Sequence, residues 1–299
     1  MSTAPAAGSP WLPASPCTPQ GCAAHSGGAA GRARTAARLA AGTTATAGGV
    51  ALAPAAALLG RGARHRLTSL WARSVLRGFG VHATLLAERA PARDTPEAGP
   101  GCLVVANHVS WLDIPLIAAV LPGRMLAKSE VRRWPVLGPL AALGGTLFVD
   151  RGSLRALPAT VAALTDALRA GHRVIVFPEG STWCGRDQGR FRHAAFQAAL
   201  DAGAAVQPVH LSYGPTGAAA FVGDDPLGAS LRRVAAAGRL TAEVRLLPPI
   251  APGPGTDRRA LARQAQRAVA RLSANRPAAS VHHRTGSSPA AASSLRTPS

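Results

Sequence analysis

The residues able to do chemistry sit at the ends of short apolar runs. Leu103–Ala106 leads directly into Asn107 and His108, and Asp113 follows five residues after the histidine. If the apolar run is a strand, a helix beginning near Ser110 or Trp111 carries Asp113 on its first turn. From there its carboxylate can reach back to the imidazole. A carboxylate on one ring nitrogen fixes the tautomer and makes the other nitrogen a better base. Such a pair suits removal of a proton from a hydroxyl near neutral pH. Taken alone, the same spacing also describes a capping aspartate and a hydrogen-bonded histidine at a strand end.

Three further segments share this layout. In GGTLFVDRGS, residues 144–153, a strand ends in Asp150 and Arg151. An arginine at a strand tip can fork onto a phosphate or carboxylate, or simply pair with its neighbour. In RVIVFPEGSTWCG, residues 173–185, four apolar residues run into Phe177, Pro178, Glu179, Gly180, Ser181 and Thr182. Proline ends the strand, and Gly180 lets backbone approach a ligand closely. With parallel strands, Glu179 projects at the same sheet edge as His108. A basic run of Arg186, Arg190, Arg192 and His193 follows, equally readable as a solvated face. In AVQPVHLSY, residues 205–213, Pro208 interrupts a strand and suggests an edge, a bulge or a bend.

The elements that must hold these residues follow from the pattern. Runs at Leu103–Ala106, Thr146–Val149, Arg173–Phe177, Val206–Ser212 and Ala242–Leu247 read as strands. Helical candidates lie between them at Trp111–Leu121, Leu154–Ala170 and Phe191–Ala202, with a basic amphipathic helix at 256–272. Ser153 is a possible N-cap of the longest, which closes at Gly171. This alternation predicts an α/β fold: a mixed, mostly parallel sheet flanked by helices, preceded by an N-terminal helical membrane-associating element.

Residues 1–35, rich in Ala, Gly, Ser and Pro, read as a disordered leader, because no basic start and apolar core of a secretory signal is present. The N-terminal helical segment is 36–86. Its first part, 36–60, is apolar only through Ala, Gly and Thr, which makes a membrane-spanning helix weakly supported. Its second part, 61–86, sets Leu67, Leu70, Trp71, Ser74, Val75 and Phe79 at helical spacing among Arg61, Arg64, Arg66, Arg73 and Arg77. That pattern fits a helix lying in the membrane interface and equally one packed on the domain with a basic outer face. Residues 87–100 are a polar, proline-rich linker opening the main domain at 87–273, and 274–299 read as a disordered tail.

Lys and Arg number 33 against 14 Asp and Glu, a formal charge of +19, which favours anionic partners. Four cysteines exclude a disulfide scaffold, and the spacing of Cys17, Cys22, Cys102 and Cys184 matches no zinc pattern. No Gly-x-Ser-x-Gly elbow, Gly-x-Gly-x-x-Gly loop or Walker loop occurs, which argues against a serine hydrolase and a nucleotide-binding enzyme. Few aromatics and no reader motif argue against nucleic acid as a partner. A non-catalytic basic membrane-binding module fits the charge but leaves the His108–Asp113 spacing without a purpose.

In order along the chain, NHVSWLD, FVDRG, FPEGST and VQPV resemble the four motifs of the glycerolipid acyltransferases, the 1-acylglycerol-3-phosphate acyltransferases that make phosphatidate. AKSEVRRWPVLGPL, residues 127–140, is similar to the stretch that follows the family's first motif. The resemblance covers about 100–215. It implies that His108 is the general base and Asp113 its orienting partner. Arg151 would hold the acceptor's phosphate. Asn107, Glu179, Gly180, Ser181, Thr182 and Arg192 would help bind substrate, and Pro208 would shape a pocket. The acyl donor would be acyl-CoA or acyl carrier protein, the acceptor a lysophospholipid, and neither metal nor cofactor is implied.

One departure stands out. The family often continues after its third motif with Phe-Lys-x-Gly, where this chain has Phe191, Arg192, His193 and Ala194. Bacterial relatives that acylate lyso-ornithine lipid share this looser form. Phosphatidate synthesis is the leading expectation and lyso-ornithine lipid acylation the alternative. Both place the protein on the cytoplasmic side of the cell membrane, peripheral or monotopic, against an anionic surface.

Overall fold

The computed structural model describes residues 13–25, 27–87, 101–134 and 137–274. The chain opens with a helical turn, α1 (Pro19–Cys22), and two helices, α2 (Arg32–Ala57) and α3 (Arg61–Gly78). Strand β1 (Val81–Ala87) follows, then β2 (Cys102–Ala106), α4 (Asp113–Val120) and β3 (Arg124–Lys128). Next come α5 (Leu137–Leu143), β4 (Leu147–Val149), α6 (Leu157–Arg169), β5 (Val174–Val176) and α7 (Ala194–Ala202). The chain continues through β6 (Ala205–Gly214), α8 (Thr216–Ala219), α9 (Leu227–Ala236), β7 (Leu240–Leu246) and α10 (Arg258–Ala274).

The seven strands form one sheet in the order β1-β7-β6-β2-β5-β3-β4. Only β6 and β7 pair antiparallel; every other neighbour pair is parallel. This is the mixed, mostly parallel sheet expected from the sequence. Strand β2 is central and buried along its whole length. Val104 and Ala106 face a core shared with α3, α4 and α9, while Leu103 and Val105 face α6, α7 and α10. A strand covered on both faces reads as a continuous apolar run, which is why this one was conspicuous.

Several expectations change. The helix foreseen over 61–86 ends at Gly78, and Gly80 turns the chain at φ +79° into β1. A Cβ at Gly80 would meet the Arg38 guanidinium, so glycine is required there. The stripe on α3 faces inward only in part: Val75 and Phe79 are buried with Ala72 and Leu76, while Leu70 and Ser74 are exposed. Small residues on α2 make room for its rings, Gly42 against Phe79 and Gly49 against Trp71. The alanine- and glycine-rich composition of α2 therefore serves close helix packing. No described helix is long and apolar enough to cross a membrane.

The reading of 1–35 as a disordered leader also gives way from Pro13 onward. Thr18 caps α1 by accepting from Gly21 N, and Cys17 and Cys22 are buried. Ala30 N donates to Ala236 O at 2.7 Å and Gly238 N to Gly28 O at 2.6 Å. These ties use main-chain atoms, which composition cannot reveal. The linker beyond Ala87 and the tail beyond Ala274 lie outside the described residues. Pro208 is not on an edge strand, since β6 lies between β2 and β7. It precedes the first β6–β7 pair, Val209 with Leu246, so its missing N–H falls outside that ladder. Ser153 caps a short 3-10 turn at Leu154–Ala156, and α6 proper begins at Leu157.

Candidate active site

The carboxyl ends of β2, β4 and β5 open on one edge of the sheet, the place where α/β proteins collect ligand-binding groups. Beyond β2, His108 Nδ1 lies 2.7 Å from Asp113 Oδ2. Asp113 is the first residue of α4 and fully buried. Its Oδ2 also accepts from Val109 N at 2.6 Å and Ser110 N at 2.9 Å. Its Oδ1 accepts from the Tyr213 hydroxyl at 2.5 Å. Four donors thus satisfy a buried carboxylate and fix its direction. Burial and the Asp113 charge hold the Tyr213 phenol well above its usual range, so it stays a donor. With Nδ1 engaged, Nε2 is the nitrogen left for a proton, and the histidine side chain keeps 20% exposure.

The ring has a second support. Phe177, the residue after β5, stacks on His108 with centroids 4.2 Å apart and planes inclined by 17°. The loop that follows folds back over the sheet edge. Trp183 N donates to His108 O at 2.7 Å, and Arg192 N to Pro178 O at 2.8 Å. Glu179 ties the two segments: its Oε2 accepts from His108 N at 3.0 Å and its Oε1 from Gly189 N at 3.3 Å. It is 3% exposed, and burial pushes its carboxyl up to about 8.

The other candidates divide. Arg151, just past β4, donates from Nη1 to Gly180 O, and burial lowers its guanidinium. The Asp150–Arg151 neighbour pair is replaced by this contact, since Asp150 accepts from Gly152 N at 2.9 Å. Gly180 turns the loop at φ +76° and has Pro13 packed against it. Ser181 Oγ is buried without a hydrogen-bond partner, and Thr182 is half-buried beside it. The Arg192 side chain is exposed.

Two of the expected substrate-binding residues have their polar atoms engaged by backbone. Asn107 gives its amide to Leu211, with Nδ2 donating to the carbonyl at 2.9 Å and Oδ1 accepting from the N–H at 2.8 Å. This locks the end of β2 to β6. Glu179 is likewise fully engaged with backbone rather than aimed outward. Pro208 lies within β6 opposite Val105. Tyr213, the only tyrosine of the chain, and the stacking of Phe177 were not foreseen. Tyr213 lies 100 residues from Asp113, and only the β6 register brings them together.

Comparison with known proteins agrees with this geometry. A family model described as Acyltransferase matches residues 87–212. The lyso-ornithine lipid O-acyltransferase of Pseudomonas aeruginosa is 42% identical over 212 residues, 69% of this chain and 78% of that protein. The 1-acyl-sn-glycerol-3-phosphate acyltransferase of Neisseria meningitidis serogroup B is 43% identical over 136 residues, 46% of this chain and 53% of that protein. Against that relative the chain spans about half the length. The crystal structure of the 1-acyl-sn-glycerophosphate acyltransferase PlsC from Thermotoga maritima shares the fold, with a TM-score of 0.61 at 19% identity, covering 81% of this chain and 94% of that one. With three of its motifs at one sheet edge, the fourth in the adjoining strand β6, and a relative alike over most of its length, the chain belongs to the glycerolipid acyltransferase family, whose members acylate lysolipids.

Proposed function

We propose that the protein moves a fatty acyl group from acyl-CoA or acyl carrier protein to the free hydroxyl of a lysolipid, with His108 as general base. The observation that carries this reading is the 2.7 Å contact between His108 Nδ1 and the buried Asp113. Asp113 holds the tautomer in which Nε2 can take a proton. Nε2 removes the hydroxyl proton as the oxygen attacks the thioester carbonyl. The tetrahedral intermediate collapses, the C–S bond breaks, and the proton passes from Nε2 to the departing thiolate. A thioester is already activated, so positioning and a base suffice without a protein nucleophile. No metal or redox step is required by this scheme.

For the acceptor, lyso-ornithine lipid takes first place. The relatives named for it align over 78% and 84% of their own lengths, in Pseudomonas aeruginosa and Brucella abortus. Formation of phosphatidate is the second reading, favoured by Arg151 at the loop that bears Gly180 and by the Neisseria relative. An arginine there can receive a carboxylate or a phosphate. The deciding assay offers lyso-ornithine lipid and lysophosphatidate in parallel, each with CoA and carrier-protein donors. A higher kcat/KM on lysophosphatidate would overturn the first choice.

The enzyme meets its acceptor at a bilayer. Leu58 and Leu70 at the α2–α3 hairpin are 88% and 63% exposed, and Arg66, Arg73 and Arg77 are exposed on the same helix as Leu70. Apolar side chains beside arginines suit peripheral docking on anionic lipid. We place this surface on the cytoplasmic leaflet, where the acyl donors are made.

A further inference from the structure

Among the described residues, apart from the His108–Asp113 pair, a group of cysteines converges without a role in acyl transfer. Cys17 and Cys22 flank the turn of α1, and Cys184 lies in the loop after β5. The three sulfurs lie within 4.8 Å of one another. All three residues are buried, at 2%, 1% and 1% exposure, and no disulfide joins them. Spacing along the chain gave no hint of this, because Cys184 comes from a segment far away in sequence. Core packing commonly brings two thiols together. Three soft donors from two segments, converging on one point, make a ligand set.

The surroundings favour a bound cation. Cys184 N donates to Cys17 Sγ at 3.3 Å, the kind of amide contact that supports a thiolate sulfur. Arg186 donates to Gly21 O at 3.4 Å and Ala24 O at 3.5 Å, which ties the Cys184 loop to the same turn. Zinc–sulfur bonds of about 2.3 Å in a tetrahedron set sulfurs roughly 3.8 Å apart. The trio therefore needs to close by no more than about 1 Å to meet that geometry. Three residues past Cys22, His25 has a buried Nδ1 without a hydrogen-bond partner. It stands outside the mutually close group, and the fourth position is open to it or to water.

We propose that Cys17, Cys22 and Cys184 bind a zinc ion that pins the N-terminal turn to the loop carrying Glu179 and Gly180. Three thiols lose their protons to solvent as three zinc–sulfur bonds form, with no change of oxidation state. The hydrogen bond with Cys184 and burial raise the Cys17 thiol, and burial and the Cys184 charge raise that of Cys22; a divalent ion offsets that cost. The consequence for the site is positional. Pro13, just ahead of the trio, packs on Gly180, so the ion would steady the loop whose carbonyl Arg151 holds.

The test uses the full-length protein purified without chelators or immobilised metal. Elemental analysis should find one zinc per chain. Replacement by cobalt should give a thiolate-to-metal charge-transfer band and the visible bands of a tetrahedral site. Cys17→Ser, Cys22→Ser and Cys184→Ser should each lower bound zinc at least tenfold, while Cys102→Ala, outside the trio, should keep it. Should the serine variants fail to fold, the cobalt spectrum of the wild type decides alone. Sub-stoichiometric zinc together with no cobalt spectrum, in protein whose thiols are reduced, would overturn the proposal. So would a disulfide between any two of the three.

Discussion

Glutamine in place of Glu179 isolates the energetic consequence of burying a carboxyl under the active-site loop. The native carboxyl holds its proton up to about pH 8, against an ordinary value of 4.5, because burial penalises the anion. Between those values the native state binds more protons than the unfolded chain. The unfolding free energy contributed by this group therefore falls as pH rises, from about 4.5 towards 8. Within that window the slope approaches about 1.4 kcal/mol per pH unit, or roughly 2.5 kcal/mol between pH 5 and 7. Glu179→Gln removes the titration. One oxygen of the amide can still accept from His108 N, while the contact to Gly189 N is lost at every pH, a constant offset. Urea unfolding of both proteins at pH 5, 6 and 7 should show the variant gaining on the wild type by about 2.5 kcal/mol across the series. All other titrating groups cancel in the difference. Parallel curves would refute the reasoning, and so would a wild type that gains on the variant as pH rises.

Tyr213→Phe removes one of the four donors to Asp113. Denaturant unfolding should show a loss of about 1.5–3 kcal/mol, the range for a hydrogen bond to a buried charge, and acyl transfer should slow while KM for the donor stays unchanged. Arg151→Ala should lower kcat/KM by about 10–100-fold more for an anionic acceptor than for a neutral monoacylglycerol, by the loss of one charge-assisted pair; equal losses would assign the arginine only to holding Gly180. Deleting residues 1–86 is not a clean probe of docking, since Val75, Leu76 and Phe79 belong to the core. The double substitution Leu58→Ser and Leu70→Ser leaves that core intact, and flotation with anionic liposomes should fall about tenfold or more for two exposed leucines that lose their lipid contact.

The legible parts of this chain were those where burial leaves a one-dimensional trace. Strands β2 and β5 are covered on both faces and appear as unbroken apolar runs, so His108, Asp113 and Glu179 could be placed at their ends. Strand β3 hides because Arg124 and Lys128 bracket it and its residues are half-exposed. Strand β1 hides behind α3, since Gly78 and Gly80 do not break an apolar pattern that simply changes period. The site's second layer was out of reach for another reason. Tyr213 on Asp113, Arg151 on Gly180 and Asn107 on Leu211 are contacts of register and loop path. Asn107 and Glu179 look like ligand-binding groups by type, but their polar atoms are already satisfied by backbone. The cysteine trio shows the same limit, since one of its members comes from across the fold.

The central claim is that the imidazole of His108, aligned by Asp113, takes the proton from the acceptor hydroxyl. His108→Ala keeps the strand, the loop and the buried carboxylate while removing the base. Acyl transfer should fall by a factor of about 10²–10⁴ or more, the contribution of a positioned general base, with circular dichroism unchanged and an unfolding free energy lower by about 1.5–3 kcal/mol, as for the loss of the Tyr213 donor. A folded His108→Ala protein that transfers acyl groups at the wild-type rate would contradict the account.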